Sequence, residues 1–133
     1  MEHERIEMDV VFVGAGPANL SAAYHLAQLI KRHNELQTGA NKLNDVQIAV
    51  IEKGAYVGAH ILSGAVMDPR GLAELIPDFI EQGAPLESPV IADQFLYLTK
   101  LGATKAPLNP PPLNNHGFYI VSLNRLTSWL GER

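Results

Sequence analysis

The residues with the clearest chemical pattern are Gly14-Ala15-Gly16-Pro17-Ala18-Asn19. They follow an apolar run and open a helical one, the context a dinucleotide-binding turn requires. Gly14 lets the chain leave a strand sharply. Gly16, lacking a Cβ, admits a pyrophosphate to the free N–H groups and positive end of the next helix. The fingerprint's third glycine is here Asn19, expected either to push the helix outward or to donate its amide to the phosphates. The second half of the pattern is Glu52, 38 positions after Gly14, at a strand end where a carboxylate can accept both ribose hydroxyls. The usual interval is about 20 residues; a long helix and a polar loop account for the excess. An acidic group there disfavours a 2′-phosphate, so adenosine of FAD or NAD is expected, not NADP. A solvated strand-end charge paired with Lys53 is the alternative.

These residues need a strand, a helix and a second strand to hold them. Residues 9–13 (Asp-Val-Val-Phe-Val) are apolar on both faces, as in the buried central strand of a parallel sheet. From Pro17 or Asn19 to about His33, the stripe Leu20, Ala23, Ala27 and Ile30 predicts a helix, with Lys31, Arg32 and His33 in its last turn. Residues 34–45 read as an exposed loop and 46–51 as a second buried strand. Residues 53–60 are too poor in side-chain bulk to be a core element. Asp68-Pro69 starts a short helix that Pro77 ends. Residues 95–99 and 103–106 predict a hairpin, Pro110-Pro111-Pro112 an extended segment, and 119–121 a strand. Ser122 then caps a helix with Leu123, Leu126, Trp129 and Leu130 on one face, expected to be still in progress at Arg133.

The 133 residues carry 10 basic and 14 acidic side chains, a net charge of −4, and no cysteine. Zero cysteines exclude disulfides, thiol catalysis and cysteine-ligated metal or iron–sulfur centres in this chain. The charge lacks the positive field of a nucleic-acid binder. The start, Met1-Glu2-His3-Glu4-Arg5, has no signal- or transit-peptide character, and no apolar run reaches the roughly 18 residues of a membrane-spanning helix.

With Leu20-Ser21-Ala22-Ala23, the glycine turn resembles the N-terminal FAD-binding segment of large flavoprotein oxidoreductases. The resemblance sharpens at Ile51-Glu52-Lys53-Gly54 and through the stretch from Val57 to Arg70, which contains Gly58-Ala59-His60-Ile61-Leu62-Ser63-Gly64. It continues at Gly83-Ala84-Pro85-Leu86, Asn114-Asn115-His116-Gly117, the residues from Tyr119 to Leu123, and Trp129-Leu130-Gly131-Glu132. The succession is similar to the electron transfer flavoprotein:ubiquinone oxidoreductase family over nearly the whole chain.

That resemblance implies an incomplete Rossmann-type α/β FAD-binding domain of the glutathione-reductase-like flavoprotein fold, with a small β-hairpin excursion. It implies an enzyme that takes electrons from reduced electron transfer flavoprotein and passes them to ubiquinone, using FAD and one [4Fe-4S] cluster. The enzyme is expected to be monotopic on the membrane, facing the cytoplasm in a bacterium. Residues 1–133 are expected to be its N-terminal portion, with cluster ligands and quinone site elsewhere. The expected cofactor-binding residues are Gly14, Ala15, Gly16, Pro17, Ala18, Asn19, Glu52, Lys53, Gly58, His60, Ser63 and Gly64, with no catalytic acid or base and no metal ligand. Ser63 is expected to bond a pyrophosphate or ring oxygen. Alternatives are an FAD reductase of the geranylgeranyl reductase type and a non-catalytic nucleotide-binding fragment.

Other candidates are weaker. His116 is either turn-stabilising or functional. His25 and His33, 8 apart, are not a metal pair, and Gly-x-Ser-x-Gly is absent around Ser21. Residues 95–113 either face a membrane or pack on their own domain.

Overall fold

A computed structural model describes residues 5–108 and 110–133; the charged start, as far as Glu4, lies outside them. In chain order the strands and helices are β1 (Val10–Val13), α1 (Pro17–Leu36), β2 (Ile48–Ile51), β3 (Ala65–Met67), α2 (Arg70–Leu75), β4 (Leu86–Pro89), β5 (Leu96–Thr99), β6 (Gly102–Lys105), β7 (Tyr119–Val121) and α3 (Leu123–Gly131). The architecture is mixed α/β, in two compact units: residues up to Leu62 together with Leu123–Arg133, and Ser63–Ser122.

In the first unit β1 and β2 pair in parallel, Val10 opposite Ile48 through Val13 opposite Ile51. The Gln47 N–H donates to Asp9 Oδ2 at 2.8 Å, and the Asp9 and Val10 N–H groups both reach Gln47 O at 3.1 Å, which pins the register. Parallel pairing demands a crossover, and α1 supplies it. Pro17 at its start has φ preset for a helix and lacks only an N–H that would be unpaired anyway. The helix runs to Leu36, past the expected His33, because the following loop ties back onto it. Leu43 N–H donates to Asn34 Oδ1 at 2.8 Å, Asn34 Nδ2 donates to Leu43 O at 2.9 Å, and the His33 ring bonds Asn41 O.

The expectation that β1 is a central strand buried on both faces is corrected. Among the described residues β1 pairs with β2 alone, and its burial alternates, with Val13 75% exposed. The apolar run reflects two apolar faces, of which α1 covers one. α3 packs on α1 and buries Leu126, Thr127, Trp129 and Leu130. It ends at Gly131, and the Glu132 and Arg133 N–H groups bond back to the carbonyls of Trp129 and Leu130.

In the second unit β7 lies between β3 and β4, antiparallel to both. Among the described residues Ile76, Phe79, Val90, Ala106 and Val121 are its buried apolar residues. α2 starts beside Asp68, whose Oδ1 accepts the Arg70 N–H at 3.1 Å. β5 and β6 form the expected hairpin, Leu96 opposite Lys105 and Thr99 opposite Gly102, with every strand position exposed. The prolines differ from expectation: Pro110 is extended, but Pro111–Leu113 closes a 3-10 turn, which a proline's fixed φ also fits.

Candidate functional site

The glycine turn joins β1 to α1 as expected. Gly14 has φ +95°, a conformation that an L side chain rarely adopts, and its N–H donates to Ile51 O at 2.7 Å. Next to it, the Ala15 N–H donates to Glu52 Oε2 at 2.8 Å. Gly16 occupies the N-cap position of α1 in extended conformation, and a Cβ built on it would meet nothing within 4 Å. The first helical hydrogen bond runs from Leu20 N to Gly16 O. The N–H groups of Gly16, Ala18 and Asn19 have no acceptor among the described residues, and Pro17 has none to offer. Three donors therefore remain at the positive end of a 20-residue helix.

Asn19 does not hold its side-chain amide out toward a phosphate. Its side-chain Nδ2 donates to Val13 O at 2.8 Å and to Gly14 O at 2.9 Å, so both amide hydrogens are spent on the turn itself. What it leaves for an anion is its backbone N–H.

Glu52 follows the last residue of β2, and its carboxylate is a bridge. Oε2 accepts from Ala15, and Oε1 accepts the Gly54 N–H at 2.7 Å. These bonds, Ala15 first, hold the carboxyl below the usual carboxylate range, with weaker attraction from His60 and Lys53. The sequence alternative of a Glu52–Lys53 ion pair gives way to two backbone amides. Each carboxylate oxygen keeps a second lone pair, and Glu52 lines a pocket of about 370 Å³ together with Val13, Gly14, Ile51 and Lys53.

The loop after Glu52 is held from α3. Asn124 Nδ2 donates to Gly58 O at 2.5 Å, and Ser128 Oγ donates to Val57 O at 2.6 Å. Gly58 has φ +92°, and a Cβ on it would lie 2.8 Å from Asn124 O. His60 approaches Gly54, where a Cβ would meet its Cε1 at 3.4 Å. Asn124 and Ser128 were missed from sequence. The available signal was two polar residues four apart on an amphipathic helix, but a polar helical face ordinarily faces water.

Ser63 and Gly64 belong to the second unit. The Ser63 hydroxyl, expected to bond a cofactor oxygen, donates to Ser122 Oγ at 2.9 Å. His116 sits in a tight turn: its N–H donates to Asn114 Oδ1, and Asn115 donates to both Asp93 oxygens, by its backbone at 2.8 Å and by its Nδ2 at 2.9 Å. These bonds, made by Asn114, Asn115 and the His116 backbone, stabilise the turn. No group of three metal-ligating side chains occurs among the described residues, and no described helix is long and apolar enough to cross a membrane.

A parallel β-turn-α-β unit with an acidic strand-end bridge to its glycine turn places the chain among mixed α/β proteins. No family model matches the chain. Its curated relatives are more specific: it is 49% identical over its whole length to the mitochondrial electron transfer flavoprotein-ubiquinone oxidoreductase of Bos taurus, of which it covers 20%. The human protein is 48% identical with the same coverage, and that of Pseudomonas aeruginosa is 47% identical, with 23% covered. The chain is a homologue of the N-terminal part of these oxidoreductases and spans about a fifth of their length.

Proposed function

We propose that this chain supplies the adenosine and pyrophosphate half of an FAD site in a Rossmann-type domain, within an enzyme that passes electrons from reduced electron transfer flavoprotein to ubiquinone. The observation that carries the reading is the Glu52 bridge to Ala15 and Gly54 beside three unpaired amides, in a chain nearly half identical to oxidoreductases of that name. The residues fit the group. The Gly16, Ala18 and Asn19 amides suit a pyrophosphate, Pro17 presets the helix start, and Glu52 retains lone pairs for both ribose hydroxyls. Lys53, Gly58 and His60 lie on the loop that leaves Glu52. FAD supplies the electron-carrying chemistry when bound, and the side chains bind and orient it. Ala15 acts through Glu52, since its N–H is already spent.

A [4Fe-4S] cluster does not fit these residues, because the chain has no cysteine. Peripheral membrane contact draws support from the hairpin, where Leu98 is 79% and Leu101 fully exposed. The test is titration with FAD, ADP and NAD. Wild type should bind FAD and ADP, and Glu52→Ala should weaken both by roughly ten- to hundredfold, as expected for lost hydrogen bonds to a charged group. A chain that binds neither ligand overturns the reading.

A further inference from the structure

We infer that Asn19 is a positioning residue that keeps the glycine turn shaped for an anion before any nucleotide binds; the inference deepens the FAD-site reading and rests on it. The turn is pinned from both sides. From β2 and the residue after it, Ile51 O takes the Gly14 N–H and Glu52 takes the Ala15 N–H. From α1, Asn19 Nδ2 donates to the carbonyls of Val13 and Gly14. An amide nitrogen carries two hydrogens, and both neighbours are carbonyl oxygens, so the side chain can sit only with its nitrogen toward them.

The electrostatic consequence is specific. Carbonyl oxygens and phosphates repel each other, so a cradle for pyrophosphate must aim N–H groups outward and keep C=O groups occupied elsewhere. Asn19 holds the two turn carbonyls toward the helix, while the N–H groups of Gly16, Ala18 and its own backbone remain unpaired. A glycine at this position, as the fingerprint has it, offers no such donor. The departure from the motif is therefore a different way of fixing the same turn, with ordering done in the free protein instead of on binding.

The experiment compares the full chain with Asn19→Ala, which favours the helix, and Asn19→Leu, which keeps the bulk without the donors. In the free protein, amide hydrogen exchange at Ala15 should quicken about tenfold in both variants, as expected for the loss of two neutral hydrogen bonds, while Phe12 and Val50 in the paired strands keep their wild-type rates. In titrations, ADP affinity should fall about tenfold while adenosine, which lacks phosphate, binds as to wild type. A general loss of structure would weaken ADP and adenosine together. Unchanged exchange at Ala15, or equal effects on the two ligands, overturns the role of Asn19. If wild type binds neither ligand, the nucleotide site itself falls, and the cradle with it; if wild type binds ADP and the variants match it, only the positioning role falls.

Discussion

Replacing Gly58 with alanine tests whether α3 holds the loop that follows Glu52. Two costs combine. At φ +92° an L side chain loses about 1–2 kcal/mol against an ordinary backbone conformation. In addition the new Cβ would stand 2.8 Å from Asn124 O, closer than carbon and oxygen approach without bonding, so the loop must back away from the helix. Backing away lengthens the bonds from Asn124 Nδ2 to Gly58 O and from Ser128 Oγ to Val57 O, each worth about 0.5–1.5 kcal/mol. The expected loss is about 2–4 kcal/mol, a large share of the roughly 5–15 kcal/mol that stabilises a domain. Trp129 is the single tryptophan and is buried in α3, so its fluorescence during urea unfolding reports on this unit directly. With a slope of about 1–3 kcal/mol per molar urea, the midpoint should drop by about 1–2 M. In an Asn124→Ala background the same change should cost about 1 kcal/mol less, because one of the bonds it breaks is already gone. A midpoint that does not move would refute both the clash and the clamp.

Three further outcomes follow from the same geometry. The Glu52 carboxyl is held below its ordinary value of 4.5 by the Ala15 and Gly54 N–H groups, so its contribution to stability is complete above about that pH and is lost as pH falls through the lowered value. Acid titration of Trp129 fluorescence should show that loss below about pH 4.5, and Glu52→Gln should flatten it. Asp93 behaves alike, with the Asn115 side chain as the larger cause and its backbone N–H second; Asn115→Ala should remove its share from the acid limb of a far-ultraviolet dichroism titration. Leu98→Ser with Leu101→Ser, both on the exposed hairpin, should change stability by less than about 0.5 kcal/mol yet reduce co-sedimentation with phospholipid vesicles; undiminished co-sedimentation would remove the support that the hairpin lends to membrane contact.

The unit from β1 to β2 was legible because each of its signals is local. Apolar runs mark the strands, Gly14 and Gly16 mark the turn, Pro17 marks the helix start, and Glu52 is recognisable by its place at a strand end. The hairpin was legible for the same reason, since its partners are adjacent in sequence. By contrast β3 and β4 went unseen. They are three and four residues long and become strands only through β7, far along the chain, so no period within them could show it. The 3-10 turn at Pro111–Leu113 was missed because a fixed φ is compatible with both an extended and a turning backbone.

The amino-acid sequence by itself determined which residues form the glycine turn and which carboxylate stands at the adjacent strand end, because residue type and spacing act over a few neighbours. Only the tertiary structure decided where the hydrogen bonds go. Asn19 could serve a ligand or the turn, and it serves the turn, since two unpaired carbonyls lie within reach of its amide. Asn124 and Ser128 read as the wet face of a helix until α3 lies against the residue 57–58 backbone. Each of these donors had several possible partners along the chain, and the choice among them rests on which backbone groups the fold brings near and leaves without another bond.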